Sequence, residues 1–329
     1  MDQPPAGPDA DLADDSLGEA PGSDEPEWRR AGVDAALHGQ RLDKVLVALA
    51  GEFSRSHLQG LIERGHVLVD GVAAQTASRR LQAGQVVEVQ LVPTQESLAF
   101  RPEAMALAIV HEDDALIVID KPAGLVVHPA AGNWSGTLLN GLLAHHRGAS
   151  QLPRAGIVHR LDKDTSGLMV VAKTLTAMTA LVRAIAAREV HRQYLAIVHG
   201  VLAAAQLRLE APIGRDPQSR VRMAVLGGGR PARTDVEVLA ARDGASALRC
   251  VLHTGRTHQI RVHLASRGHP LVGDTLYGGR EMFGMTRQAL HAERLAFAHP
   301  ISGRPLRFDA APPPDFASAW LNLVPTAIA

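Results

Sequence analysis

A single cysteine, Cys250, excludes an internal disulfide and any multi-cysteine zinc site, and it agrees with a reducing compartment. No stretch approaches the roughly 20 consecutive apolar residues that a membrane-spanning helix needs. The first residues also lack the basic start and apolar middle of a secretion signal, so a cytoplasmic protein with no membrane partner is expected. Aromatic residues are scarce: with only two tyrosines in the chain, a phenol at the start of an apolar strand is not explained by generous usage. Net charge is missing too, since 34 Lys and Arg oppose 34 Asp and Glu.

That balance hides an asymmetry. Nine acids and no Lys or Arg lie between Met1 and Trp28; setting them aside leaves 34 basic against 25 acidic residues, a body of +9 with histidine neutral. The same acidic stretch holds five prolines and three glycines and almost no large apolar residue, so it cannot bury enough surface to offset its ordering entropy. Residues 1–32 are therefore expected to form a disordered acidic tail. The 329-residue length suggests about two folded domains behind it, and the basic body makes a polyanion plausible as partner.

The first folded unit is expected over residues 33–92. Leu42, Val45, Leu46, Leu49 and Ala50 fall on one stripe of an amphipathic helix. Ser54 can cap a second helix carrying Leu58, Leu61 and Ile62, and Gly65 stands where a left-handed stop is wanted. His66 to Ala74 alternates around the tight turn Asp70-Gly71, and Gln85 to Leu91 alternates again after Ala83-Gly84. Two helices on a small hairpin sheet are too little to hold a deep pocket.

Arg41-Leu42-Asp43-Lys44-Val45-Leu46, Ser54-Arg55-Ser56, Leu61-Ile62-Glu63-Arg64-Gly65 and Val67-Leu68-Val69-Asp70-Gly71 make this unit resemble an S4 RNA-binding domain. The resemblance implies that the second helix and the hairpin contact folded RNA, through Arg55, Gln59, Arg64, Arg79 and Arg80. Charge alone would not select RNA, because residues 33–92 hold six basic and six acidic residues. A Pro- and Gln-containing stretch, 93–102, reads as a linker.

From 103 to 329 strands follow strands more often than they alternate with helices, which predicts an α+β domain around a mixed, mostly antiparallel sheet. Ala115–Ile119 is expected to turn at Asp120-Lys121-Pro122-Ala123-Gly124 into Leu125–His128 as a hairpin. Leu138–His145 and Leu175–Ala187 read as helices, the second with Leu175, Met178, Leu181, Val182 and Ile185 inward. Tyr194–Val198, Arg208–Pro212, Thr234–Ala240 and Leu248–His253 read as strands.

Three polar segments interrupt this apolar framework. Gly156 to Gly167 is a glycine-bounded loop between apolar stretches, a place where a rigid scaffold can hold a reactive group. Arg192-Gln193-Tyr194 opens a strand. Thr254 to Leu264 is a strand exit and helix start that would put Arg256, His258 and Arg261 near backbone N–H groups suited to an anion. No glycine-rich phosphate loop occurs, and neither the His145-His146 pair nor the His291 and His299 pair has the spacing of a metal site. No cofactor and no metal are expected.

His159-Arg160-Leu161-Asp162-x-x-Thr165-Ser166-Gly167, Arg192-x-Tyr194 and Gly255-Arg256-Thr257-His258-Gln259-Ile260-Arg261-Val262-His263 resemble the motifs of the RluA family of RNA pseudouridine synthases. Asp120 to Pro129 and His269-Pro270-Leu271-Val272-Gly273-Asp274 extend the likeness over residues 103 to about 310. The resemblance implies isomerisation of uridine to pseudouridine in RNA. The spacers are nearest to the branch acting on large-subunit (23S) ribosomal RNA, at the loop of helix 69, with that RNA or its assembling subunit as partner. A monomer is expected.

The chemistry fits the residue types. Moving the uracil from an N1 to a C5 bond with C1′ is neither redox nor phosphoryl transfer, and it needs one ionised carboxylate acting at the sugar or the base. Asp162 fits that role. The resemblance assigns Arg261 to keep it ionised and oriented. Tyr194 can stack on the base and accept or relay the C5 proton, Ile260 can wall it, and Arg160 can fill the vacancy left by a flipped nucleotide. His159, Arg256 and His258 complete the candidate substrate contacts, although His159 and His258, like Lys121 and His128, are about equally readable as structural. Asp164 reads as structural or RNA-facing. The same reaction on other ribosomal or transfer RNA uridines, a non-catalytic RNA-binding assembly factor, and hydrolysis at the anomeric carbon using Asp162 and Asp164 stay open.

Overall fold

In the computed structural model, residues 27–92, 99–130 and 132–325 are described. The chain divides into two compact units, parting between Thr94 and Gln95. No helix among the described residues is long and apolar enough to cross a membrane.

The first unit opens with strand β1 (Glu27–Gly32), followed by helices α1 (Leu42–Leu49) and α2 (Arg55–Glu63) and strands β2 (Val67–Val69), β3 (Val72–Ala73) and β4 (Val86–Leu91). Ser54 caps α2 by accepting from the His57 N–H, and Gly65 takes a positive φ of 79° after the helix. Asp70 and Gly71 are both left-handed, which gives the two-residue turn between β2 and β3 the twist a hairpin needs. The sheet order is β1-β4-β2-β3. Leu42, Leu46, Leu58, Leu61 and Ile62 from the helices close over Val67, Val69, Val87 and Val89 from the sheet.

One boundary is corrected here. The expected tail reaches residue 32, yet Glu27–Gly32 pairs antiparallel with Val86–Leu91. This edge strand is polar, Glu-Trp-Arg-Arg-Ala-Gly, and an edge tolerates charge because one side of the strand faces solvent. The rest of the expected tail, residues 1–26, lies outside the described residues. So do positions 93–98 of the expected linker. Its other end belongs to the second unit: Ala99 is buried, and the Ala99 and Arg101 carbonyls accept from the Asn140 side chain at 3.4 and 2.8 Å.

The second unit runs β5 (Ile109–Glu112), β6 (Leu116–Lys121), α3 (Leu138–His145), β7 (Ser166–Ala172), α4 (Leu175–Ala186), β8 (His191–His199), β9 (Gln206–Glu210), β10 (Ile213–Arg215), β11 (Met223–Val225), β12 (Arg233–Arg242), β13 (Ala245–Leu252), α5 (Gln259–Ser266), β14 (Leu290–Ala298), β15 (Pro305–Asp309) and α6 (Pro314–Leu321). A nine-stranded sheet has the order β5-β6-β7-β14-β8-β13-β12-β9, with β15 also on β14; β10 and β11 form a separate hairpin. Only the β7–β14 pair is parallel, so the sheet is mixed and mostly antiparallel. Gly167 sits at that junction with φ of 112°, where a Cβ would run into the Ala292 backbone carbonyl. Only glycine lets the two strands approach this closely.

Both faces of the sheet are covered. Along β8, Tyr194, Ala196 and Val198 point to one face and pack with α3 and α5, while Leu195 and Ile197 point to the other, under Phe316 and Trp320 of α6. Helix α4 packs on the α6 side against β6 and β7 through Ala177, Met178 and Leu181, where burial of one such leucine is worth roughly 2 kcal/mol.

Two expectations fail in this unit. Leu125–His128 is not a strand: β6 takes its partners from β5 and β7, and the turn at Asp120 to Gly124 is instead pinned around the Lys121 ammonium. Leu175 and Val182 of α4 are exposed, because the helix turns its Ala177, Met178 and Leu181 stripe to the sheet.

Candidate active site

The loop from Ile157 to Thr165 enters β7 and is tied at nearly every step. Ile157 bridges Val171, the His159 ring accepts the Val170 N–H at 3.0 Å, and the Thr165 N–H donates to the Asp162 carbonyl at 3.1 Å. Arg287 donates to the Asp164 carbonyl at 2.8 Å. The strongest tether is Lys121, fully buried, whose Nζ donates to the carbonyls of Pro122, Leu125 and Lys163 at 2.7, 3.0 and 2.9 Å. Burial pulls its pKa down to about 8 against the pull of the Asp164 and Asp162 carboxylates. Lys121 is thus the clasp between the 120–125 turn and the Asp162 loop.

Asp162 emerges from this scaffold 15% exposed. Arg261, in the first turn of α5, donates through Nη1 to Asp162 Oδ2 at 3.0 Å. Its other edge is held bidentately by Asp274, Nε to Oδ2 at 2.7 Å and Nη2 to Oδ1 at 2.8 Å. The guanidinium also lies 5.0 Å from the centre of the Tyr277 ring. Burial disfavours its charge, but the Asp274 hydrogen bonds and the two carboxylates outweigh that and hold it protonated. Gly273, left-handed at φ 72° with no room for a Cβ beside the Arg287 backbone, sets the turn that delivers Asp274.

His258 caps α5 in a left-handed conformation, φ 55°. The Met223 N–H donates to the Tyr277 hydroxyl at 2.9 Å, and that hydroxyl meets His258 Nδ1 at 2.8 Å. All three groups are satisfied when Tyr277 donates to Nδ1, which leaves the imidazole proton on Nε2, 3.8 Å from Asp162 Oδ1. Burial lowers the His258 pKa, so the ring is neutral. Asp162 Oδ1 has no hydrogen bond among the described residues.

Tyr194 rises from β8 on the face that carries Asp162, buried, with its phenol pKa raised chiefly by that burial. It shares a small recess of about 50 Å³ with Asp162, Arg160, Arg256, His258, Ile260 and Arg261. A cleft of about 540 Å³ opens off the same residues, with Arg160 exposed on its edge and His159 and Arg256 in its walls. The residues expected from the sequence as catalytic and substrate-binding therefore converge.

Their roles divide differently from the expectation. The α5 entrance is not an open anion site: the Arg256 N–H is taken by the Gln259 side chain at 3.0 Å, and Arg261 is satisfied by two carboxylates of its own. His159 is a structural acceptor, its pKa pushed down to about 3 by burial and then by Arg192. Asp274 and Tyr277 were missed. Asp274 closes the 269–274 motif and Tyr277 is the chain's other tyrosine, but only the tertiary pairing reveals what they hold.

In the first unit two of the five expected RNA contacts, Arg55 and Gln59, meet a buried carboxylate. Asp43 accepts from Arg41 at 3.0 and 3.2 Å, from Arg55 at 2.7 Å and from Gln59 at 3.3 Å. Arg55, Arg64 and Arg80 are exposed, while Gln59 and Arg79 are partly buried; Arg80 also donates to the Gly39 carbonyl at 2.8 Å.

The family model described as RNA pseudouridylate synthase matches residues 115–266, and that of the S4 domain matches residues 40–87. A protein of Neisseria meningitidis serogroup A described as ribosomal large subunit pseudouridine synthase D is 52% identical over 295 residues, covering 86% of this chain and 78% of its own. The chain belongs to the RNA pseudouridylate synthase family. A protein of the same description from Xanthomonas campestris is 49% identical over 300 residues, covering 87% of this chain and 90% of its own. Among solved structures, human RNA pseudouridylate synthase domain containing 1 superposes with a TM-score of 0.52 at 27% identity, over 70% of this chain and 90% of that one. A pseudouridylate synthase uses its site to isomerise, and the Asp162 cleft lies within the matched segment.

Proposed function

We propose that this synthase converts uridines of large-subunit (23S) ribosomal RNA to pseudouridine, at the loop of helix 69, with Asp162 as the nucleophile. The observation that carries the chemistry is the asymmetry of one carboxylate: Oδ2 is held by Arg261, Oδ1 has no hydrogen bond among the described residues, and Asp162 lines the recess shared with Tyr194 and Ile260. The substrate reading rests on the names of relatives about half identical over most of the chain.

The extruded uridine stacks on Tyr194 against Ile260, with C1′ and the base within reach of Oδ1. Attack by the carboxylate at the sugar or the base accompanies cleavage of N1–C1′. The uracil turns in place, C5 bonds to C1′, the bond to the Asp162 carboxylate breaks to free it again, and the C5 proton leaves as N1 gains one, so atoms balance without redox partner or cofactor. A raised phenol pKa keeps Tyr194 protonated, which suits it to relay that proton rather than to act as a phenolate base. Arg160, on the cleft edge, fills the gap in the RNA stack. Arg55, Gln59, Arg64, Arg79 and Arg80 of the S4 unit contact folded RNA outside the site. The partner is the ribosomal RNA or its assembling subunit, met by a monomer in the cytoplasm.

Mapping pseudouridines across ribosomal RNA in cells with and without the protein tests the target. Loss confined to the helix 69 loop is expected, and loss elsewhere only would move the substrate. Asp162→Asn in purified protein is expected to retain RNA binding and to lose product by roughly a thousandfold or more; turnover at the parent rate removes Asp162 from the mechanism.

A further inference from the structure

The cleft that opens off Asp162 is walled by five arginines, Arg154, Arg160, Arg188, Arg192 and Arg256, and among the described residues Asp162 is its only carboxylate. Four of the five are exposed or half-exposed, as cations at an opening usually are. Arg192 differs: it is 6% exposed, its Nε is buried without a partner, and its guanidinium makes no hydrogen bond or ion pair with any described residue. Only Nε is shut off from solvent, so the two terminal nitrogens open on the cleft, and a poorly hydrated guanidinium stands there without a counter-charge. The chain keeps room for it, because a Cβ at Gly255 would come 2.8 Å from Nη1.

Position decides what that counter-charge is. Arg192 and Tyr194 are two residues apart on β8, so both side chains leave the same face of the sheet, with the guanidinium one pleat from the phenol. A nucleotide with its base at Tyr194 presents its phosphodiester about that far away. We propose that Arg192 is a phosphate-binding residue that receives a phosphodiester flanking the target uridine, and that the exposed arginines of the cleft guide the backbone toward it. The planar fork of a guanidinium matches two phosphate oxygens, and the low exposure of Arg192 limits screening of the pairing by water. This deepens the synthase reading and rests on it only for the place of the base.

The probe is an RNA stem-loop carrying a uridine that the parent protein isomerises, prepared with a neutral methylphosphonate in place of each flanking phosphate in turn. For the parent, neutralising one of these positions is expected to lower kcat/KM at least about tenfold. Arg192→Met is expected to lose about as much on the unmodified RNA and nothing further at that position, while Arg192→Lys recovers part of the loss. A parent insensitive to both neutral linkages, or an Arg192→Met variant that suffers the full additional loss, overturns the proposal.

Folding supplies the second readout. A guanidinium that meets no hydrogen-bond or ion-pair partner in the free protein contributes little stability, so Arg192→Met without RNA is expected to melt at the parent temperature or above. A melting point several degrees lower assigns Arg192 to the fold and overturns the proposal. Because parent and variant are compared on the same RNA, the result does not depend on which residue is the nucleophile; Asp162→Asn tests that separately.

Discussion

Asp43 in the first unit and Asp162 in the second are both carboxylates set against arginine, yet they are finished differently. Both Asp43 oxygens are consumed, by Arg41, Arg55 and Gln59, and the acid is fully buried under arginines that reach solvent. Asp274 is likewise spent on the Arg261 fork. Asp162 receives only the remaining Nη1, on Oδ2, and its Oδ1 is left without a hydrogen bond among the described residues. A carboxylate with every lone pair engaged organises its neighbours; one held by a single edge is oriented and still reactive. Three removals test that distinction.

The largest effect on activity belongs to Asp162→Ala, which removes the open oxygen: single-turnover assays should show at least roughly a thousandfold loss with the melting temperature nearly unchanged. Asp274→Ala should be worst for the fold, because it strands a buried guanidinium. Chemical denaturation is expected to register about 3 kcal/mol, and activity should fall as Arg261 turns wholly onto Asp162. If Asp274→Ala leaves both stability and rate intact, the Asp274–Arg261–Asp162 relay is not what orients the carboxylate. Asp43→Ala frees exposed arginines, which water can solvate. The first unit should lose about 2 kcal/mol by denaturation, while turnover of a short RNA stem-loop stays at the parent level.

Much of this was legible in the residues. The α3 boundaries, the Ser54 cap, the Asp70-Gly71 turn and the cores of β8, β12 and β13 follow from period, capping and turn chemistry that act within a few residues. What could not be read is what distant chain supplies. The Leu125–His128 hairpin fails because Lys121 draws carbonyls from residue 163 into its turn. β1 carries no apolar alternation and becomes a strand only because β4 offers an edge. At the site, Asp162, Tyr194 and Arg261 stand in recognisable motifs, whereas Asp274 and Tyr277 act through partners 13 and 19 residues away that no local pattern announces. Arg192 stood in a motif from the start, but its meaning lies in the missing counter-charge.

The finest test of the contrast between the units is acid. Burial lowers the pKa of five histidines in the second unit, His128 to about 4, His159 to about 3, and also His258, His263 and His291. Unfolding returns each toward 6.5, so the unfolded chain binds more protons below that pH. Their contribution, complete above about pH 6.5, is therefore lost as pH falls toward the folded values. In the first unit, hydrogen bonds from Arg41 and Arg55 lower the Asp43 pKa, so its stabilisation is intact above about pH 4 and lost only as pH falls through the depressed value. Hydrogen exchange at pH 5.5 against pH 7.5 should show protection falling in β7 and β8 while α1 and α2 hold. One histidine carries about 1 kcal/mol of the difference at pH 5.5: His159→Gln, whose side-chain carbonyl can still accept the Val170 N–H without titrating, should flatten the second unit's acid response by that amount. An unchanged slope would shift the acid sensitivity onto the other four rings, and equal loss of protection in α1 and α2 would end the contrast between the units.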